Sequence, residues 1–208
     1  MLLILSTAGA VAVLTWANRI TFFRLFCIPV FIGLILQFRE RYTLDQNDPL
    51  LNNIRIAALL LFLFAVISDG VDGFLARFKN QKTLLGTILD PIADKLLLVS
   101  ATIALSLPIG LKYQIPSWLT VTIVSRDILI LLGALILFII VGKVKFLPHF
   151  LGKLTTCSQM VTIVLVLMQA GSCTFFFYLT LSFTILSGLY YIYREAKSAG
   201  LNNNQVTV

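Results

Sequence analysis

From Leu154 to Tyr193 the chain carries no charged side chain. One helix needs only about 20 residues to cross ~30 Å of hydrocarbon, so a run of this length holds two crossings. The Ala170-Gly171-Ser172 break divides it. Four further apolar stretches come earlier, at about 21–37, from Ile54 past Ser68, at 84–107 and at 118–141, each closed by charged, Pro or Gly punctuation. Composition agrees. The chain is 59% hydrophobic and 12% charged, with a mean hydropathy of +0.96, whereas soluble domains carry roughly 25% charged residues.

These features predict an all-α integral membrane protein with six transmembrane helices. It forms a single domain over 1–208, with residues 1–17 as a short N-terminal interfacial helix and 194–208 as a polar tail. The first sixteen residues are apolar but lack the basic flank and cleavage site of a signal peptide; a seventh span there is the alternative. With six spans both termini share a side. That side holds Arg19, Arg77, Lys79, Lys82, Lys143, Lys145, Lys153, Arg194 and Lys197, against Arg39, Arg41, Arg55 and Lys112 on the other, which places the termini in the cytoplasm. The net charge of +7 is thereby explained as membrane flanks, and no nucleic-acid partner is expected. Cys27, Cys157 and Cys173 have no ligand-like spacing, and His149 is the single histidine, so any chemistry rests on carboxylates.

The acids are in unexpected places. Glu40, Asp45, Asp48 and Glu195 lie in loops or the tail, but Asp69, Asp72, Asp90, Asp94 and Asp127 lie in or at the edge of apolar spans. Each such charge costs about 2.5–3.5 kcal/mol even on the lenient insertion scale. Asp69 and Asp72 are three apart and Asp90 and Asp94 four apart, so on helices each pair shares a face. Four carboxylates meeting near one membrane edge form a hard oxygen site suited to one or two Mg2+ or Mn2+ ions, completed by substrate phosphates. The competing explanation is simple ion pairing, Asp94 with Lys95 or Asp72 with Arg77. Gly73, Ala76 and Gly86 between the acids favour close approach of a ligand or a helix instead.

From Asp69 to Asp94 the chain reads DGVDGFLARFKNQKTLLGTILDPIAD. This resembles the D-x-x-D-G-x-x-A-R-x8-G-x-x-x-D-x-x-x-D signature of the CDP-alcohol phosphatidyltransferase family, matching at Asp69, Asp72, Gly73, Ala76, Arg77, Gly86, Asp90 and Asp94. Asn18, Thr21 and Arg24, followed by Pro29, resemble the N-x-x-T-x-x-R opening of the branch that makes phosphatidylglycerophosphate. Leu89 to Leu97 is typical of that branch and of the cardiolipin synthases. Arg126-Asp127 and Gly152-Lys153-Leu154-Thr155-Thr156 fall where the family has R-[DE] and G-K-x-x-T elements.

The resemblance implies a six-helix homodimer with a polar cavity open to the cytoplasm of a bacterial inner membrane. CDP-diacylglycerol would be held there by two Mg2+ ions, an acceptor alcohol would attack the phosphatidyl phosphorus, and CMP would leave. By position, Asp69, Asp72, Asp90 and Asp94 would hold the metals and Asp94 would also act as general base. Asn18, Thr21, Gly73, Ala76, Arg77 and Thr83 would line the CDP-diacylglycerol site. Arg126, Lys153 and Lys145 are the candidate cations for a small phosphorylated acceptor, with glycerol 3-phosphate favoured. R-D at 126–127 and Thr at 155 also suit the cardiolipin synthase branch, which transfers to phosphatidylglycerol. A Mg-dependent membrane prenyltransferase and a divalent-cation transporter are more distant alternatives. The first lacks D-G-x-x-A-R, and the second is at odds with the uniformly apolar helix preceding Asp69.

Overall fold

The computed structural model describes residues 16–79, 84–141 and 150–203, with side chains described over 22–68, 92–133 and 150–194. The expected N-terminal interfacial helix lies almost wholly outside these residues. Six helices make up the described chain: α1 (Trp16–Leu44), α2 (Leu50–Lys79), α3 (Leu84–Ser106), α4 (Ser117–Val141), α5 (Phe150–Met168) and α6 (Cys173–Asn203). No strand occurs among the described residues. Four stretches there are long and apolar enough to cross a membrane: Phe22–Leu44, Leu50–Ser68, Phe150–Met168 and Cys173–Arg194.

The helices outrun the apolar stretches that announced them. α1 continues through Arg39-Glu40-Arg41 to Leu44 because charged residues with long unbranched stems are good helix formers and can reach water. α6 likewise continues to Asn203, so the polar tail expected from residue 194 is helical over its first part. At the start of α2 the Asp48-Pro49 pair sets the boundary. Asp48 Oδ1 accepts the Leu50 N–H at 2.9 Å, satisfying an end amide that has no partner within the helix, and proline suits the first helical position. Asp48 Oδ2 also takes a hydrogen bond from Arg41 Nη1 at 2.8 Å, which ties this cap to the last turn of α1.

Two compact units result, the first containing α1, α2, α3 and 167–169 and the second containing α4, most of α5, and α6. In the first unit α1 buries Arg24, Cys27, Phe31, Ile35 and Phe38, a three-four spacing that forms one helical face. Against it lie small residues, Ala58 and Ala65 of α2 and Ala93, Ala101 and Ala104 of α3, interleaved with Phe62, Leu97 and Leu105. The opposite faces are equally apolar: Phe22, Phe26, Leu60, Phe64 and Ile67 are exposed. A surface of this kind needs a non-aqueous solvent, and the protein is a membrane protein.

The α3–α4 connection is fixed within the first unit from two directions. Gly110 has φ +87°, and a Cβ there would collide with the Tyr42 ring, itself stacked on Phe38 at 6.3 Å. Gln169 (φ 56°) accepts the Tyr113 N–H at 2.9 Å through Oε1 and donates Nε2–H to the Tyr113 carbonyl at 3.1 Å, so one side chain satisfies both main-chain groups.

In the second unit α5 and α6 meet along a polar seam. Thr162 and Thr180 share a hydroxyl hydrogen bond at 2.8 Å, and Thr155 Oγ1 donates to the Phe183 carbonyl at 3.1 Å. Tyr191 donates to the Ile130 carbonyl at 3.3 Å, where Gly133 leaves room for its ring. Lipid supplies little drive for apolar helices to associate, so small residues and hydroxyl bonds take that role.

Gly110→Ala introduces both a disfavoured φ and a steric conflict; a loss of about 2 kcal/mol or more is expected in reversible unfolding from detergent micelles. Asp48 gives a pH signature. The Leu50 N–H and then the Arg41 guanidinium hold its carboxyl below the ordinary carboxylate range. With the folded value depressed, its stabilisation is present above the unfolded pKa and is lost as pH falls through the folded one, below roughly pH 4. Melting curves of Asp48→Asn should therefore show a shallower acid limb than those of the parent protein.

Candidate active site

The acids singled out by spacing lie on continuous helix. Asp69 and Asp72 occupy the second half of α2, followed by Gly73, Ala76 and Arg77, while Asp90 and Asp94 lie in the first half of α3. Helical backbone through both segments keeps each pair on one face. Asn18 and Thr21 lie in the first turns of α1. Thr83 and Lys145 fall outside the described residues, and of the four aspartates only Asp94 has a described side chain.

Asp94 contacts a residue that spacing did not pair with it. Arg24 Nη1 of α1 donates to Asp94 Oδ1 at 2.5 Å, across 70 positions of sequence. Arg24 is 1% exposed, among the most deeply buried side chains described. Its flanks explain the depth: Cys27 and Phe31 continue the same buried face, and Phe23 packs edge-on to Phe64 of α2 at 5.6 Å. Removing a guanidinium from water costs several kcal/mol unless an acid is placed against it. The available signal was a cation near the start of an otherwise apolar span; its partner could not be read from local spacing.

Arg126 lies on the buried face of α4 with Leu119 and Ile123. Expected as a cation for the acceptor, it is found in an ion pair. Nη1 donates to Asp127 Oδ1 at 2.8 Å and Nη2 donates to Ser187 Oγ of α6. Gly152 of α5 and Gly188 of α6 border the side chain: a Cβ at either would sit 3.7 Å from Nη2 or 3.6 Å from Cγ. Nε is buried and has no hydrogen-bond partner among the described residues, so one donor of this cation is uncommitted. Lys153, the residue after Gly152, is exposed on α5. Thr155, in the same Gly-Lys-x-Thr-Thr element, is committed to the seam with α6.

The family model for CDP-alcohol phosphatidyltransferase matches residues 14–186. The chain belongs to the CDP-alcohol phosphatidyltransferase family. Its relatives include the CDP-diacylglycerol–glycerol-3-phosphate 3-phosphatidyltransferase of Bacillus subtilis, 33% identical over 70% of this chain and 72% of that protein. A probable phosphatidylglycerophosphate synthase of Mycobacterium tuberculosis is 32% identical over 93% of this chain and 87% of its own length. The cardiolipin synthase (CMP-forming) of Streptomyces coelicolor is 33% identical over 77% and 68%.

The chain is thus an enzyme, a CDP-alcohol phosphatidyltransferase of phospholipid synthesis. Both groups of the Arg126–Asp127 pair are largely buried, 10% and 13% exposed. Breaking a buried pair strands the remaining charge, and Asp127→Asn should cost on the order of 3 kcal/mol in unfolding free energy. Replacing both residues with apolar ones of similar size should cost less than that single change.

Proposed function

We propose that this CDP-alcohol phosphatidyltransferase transfers the phosphatidyl group of CDP-diacylglycerol to glycerol 3-phosphate, giving phosphatidylglycerophosphate and CMP. The observation that carries this reading is the register of four aspartates, Asp69 and Asp72 on α2 and Asp90 and Asp94 on α3, in a chain with glycerol-3-phosphate-transferring relatives in Bacillus and Mycobacterium. The site would face the cytoplasm at one edge of six membrane spans, in a homodimer of a bacterial inner membrane.

An all-carboxylate donor set suits hard divalent cations, and Asp69, Asp72, Asp90 and Asp94 would hold two Mg2+ ions, with Mn2+ as an alternative. Bound there, the metals supply charge neutralisation for the diphosphate. Arg77 adds a fixed cation on the nucleotide side, where Gly73 and Ala76 admit the substrate close to the backbone and Asn18, Thr21 and Thr83 supply polar contacts. Asp94 accepts the proton of the acceptor hydroxyl as its oxygen attacks phosphorus; the phosphorus–oxygen bond to CMP breaks and CMP departs with the electron pair. Positioning the two reactants supplies much of the remaining rate. Arg126, through its uncommitted Nε, together with Lys153 and Lys145, supplies the cations that a phosphorylated acceptor needs.

Transfer to phosphatidylglycerol, as in the cardiolipin synthases, is the second reading, favoured by the Streptomyces relative and by Arg126-Asp127. Purified enzyme with Mg2+ and CDP-diacylglycerol should release CMP when radiolabelled glycerol 3-phosphate is supplied and form a labelled lipid. Product only with phosphatidylglycerol would assign the second reading. Asp94→Asn should lower kcat by about 100-fold or more, and full turnover would remove Asp94 from the general-base role. Arg126→Gln should raise KM for glycerol 3-phosphate about tenfold while sparing KM for CDP-diacylglycerol.

A further inference from the structure

Three ion pairs are seen among the described residues, and they differ in where their members lie. Arg41–Asp48 is a helix-end contact with the cation the more exposed partner, 37% against 16%. Arg126–Asp127 is buried on both sides and joins sequence neighbours. Arg24–Asp94 combines a cation with a side chain 2% exposed and an acid with one 33% exposed. An acid present only to neutralise a buried arginine would be expected to be enclosed with it. Here the cation is enclosed while a third of the acid's side chain is exposed.

The geometry points to Arg24 as a positioning residue for Asp94, one that sets the direction in which the carboxylate meets the acceptor hydroxyl. The inference rests on the general-base reading of Asp94 proposed above. Packing already fixes the backbone at this point, since Ala93 is fully buried and Leu97 and Leu98 continue the buried face of α3. What packing leaves undetermined is rotation about the two side-chain torsions of Asp94. The bond from Arg24 Nη1 to Oδ1 restrains that rotation from a group anchored on a different helix. Arg24 is too deeply buried to reach a substrate itself; its effect passes through Asp94.

The test is steady-state kinetics of Arg24→Met and Arg24→Lys in the full-length, Mg2+-supplied enzyme, with melting temperatures and Asp94→Asn measured in parallel. Arg24→Met is expected to lower kcat about 30-fold, and Arg24→Lys, which keeps the charge but loses the planar fork, to recover it only in part, to about fivefold below the parent. Both should keep KM for CDP-diacylglycerol within about twofold. Parent-like kcat in a folded Arg24→Met protein would overturn the inference, as would losses of kcat and melting temperature that fall together without recovery in Arg24→Lys. If Arg24→Met does not fold, Arg24→Lys decides: a reduced kcat with unchanged KM upholds positioning, and unchanged kcat overturns it. An Asp94→Asn protein with full activity would instead remove the general-base reading on which the inference stands.

Discussion

A guanidinium inside a membrane protein has little water to solvate it, and the first helical unit is arranged around that constraint. Arg24 lies on the same face of α1 that buries Cys27, Phe31 and Ile35, so α1 could not pack against α3 without bringing an acid to meet it. Asp94 meets that requirement at 2.5 Å. The pair therefore links the register of two helices that are distant in sequence. It also holds the acid proposed as the general base. In the proposed mechanism a stability requirement and a catalytic one fall on the same carboxylate, which would couple helix packing to the placement of the base.

Much of this was legible in the chain before any coordinates. Charge-free runs announced the helices, because water-free surroundings exclude unpaired charge as strictly as they admit leucine. The signature from Asp69 to Asp94 identified the family, because its fixed residues all face one chemical task. Helix ends were less legible. Arg39 to Leu44 and the residues after Arg194 read as polar loop and tail, yet continue α1 and α6, since leaving the hydrocarbon does not oblige a helix to stop. Partnerships across sequence were not legible at all. Lys95 was the partner that the competing ion-pair explanation offered Asp94, and spacing could not offer Arg24, 70 positions away; Arg126, by contrast, found its acid next door, where spacing could suggest it.

The second unit uses a different means of cohesion. Thr155, Thr162, Thr180 and Ser187 place hydroxyls along facing helices, and most bond across to a backbone carbonyl, another hydroxyl or Arg126. Glycines 152 and 188 border the arginine at distances where a Cβ would make ordinary contact with it. Directional bonds of this kind specify rotation about each helix axis, which apolar contact in lipid specifies poorly. In the Gly-Lys-x-Thr-Thr element Thr155 is engaged in the seam, while Lys153 is exposed.

Leu60 and Phe64 face outward from α2, whose inward face carries Ala58 and Ala65. Along this part of α2 inside and outside differ in side-chain volume more than in polarity. When helices separate within a bilayer, the side chains they uncover pass to lipid and not to water. Heat-capacity change on unfolding comes mainly from hydrating apolar surface. For this chain, in-membrane separation should therefore lack most of the curvature that gives soluble domains an optimum temperature, and its cohesion should vary with temperature almost as a straight line.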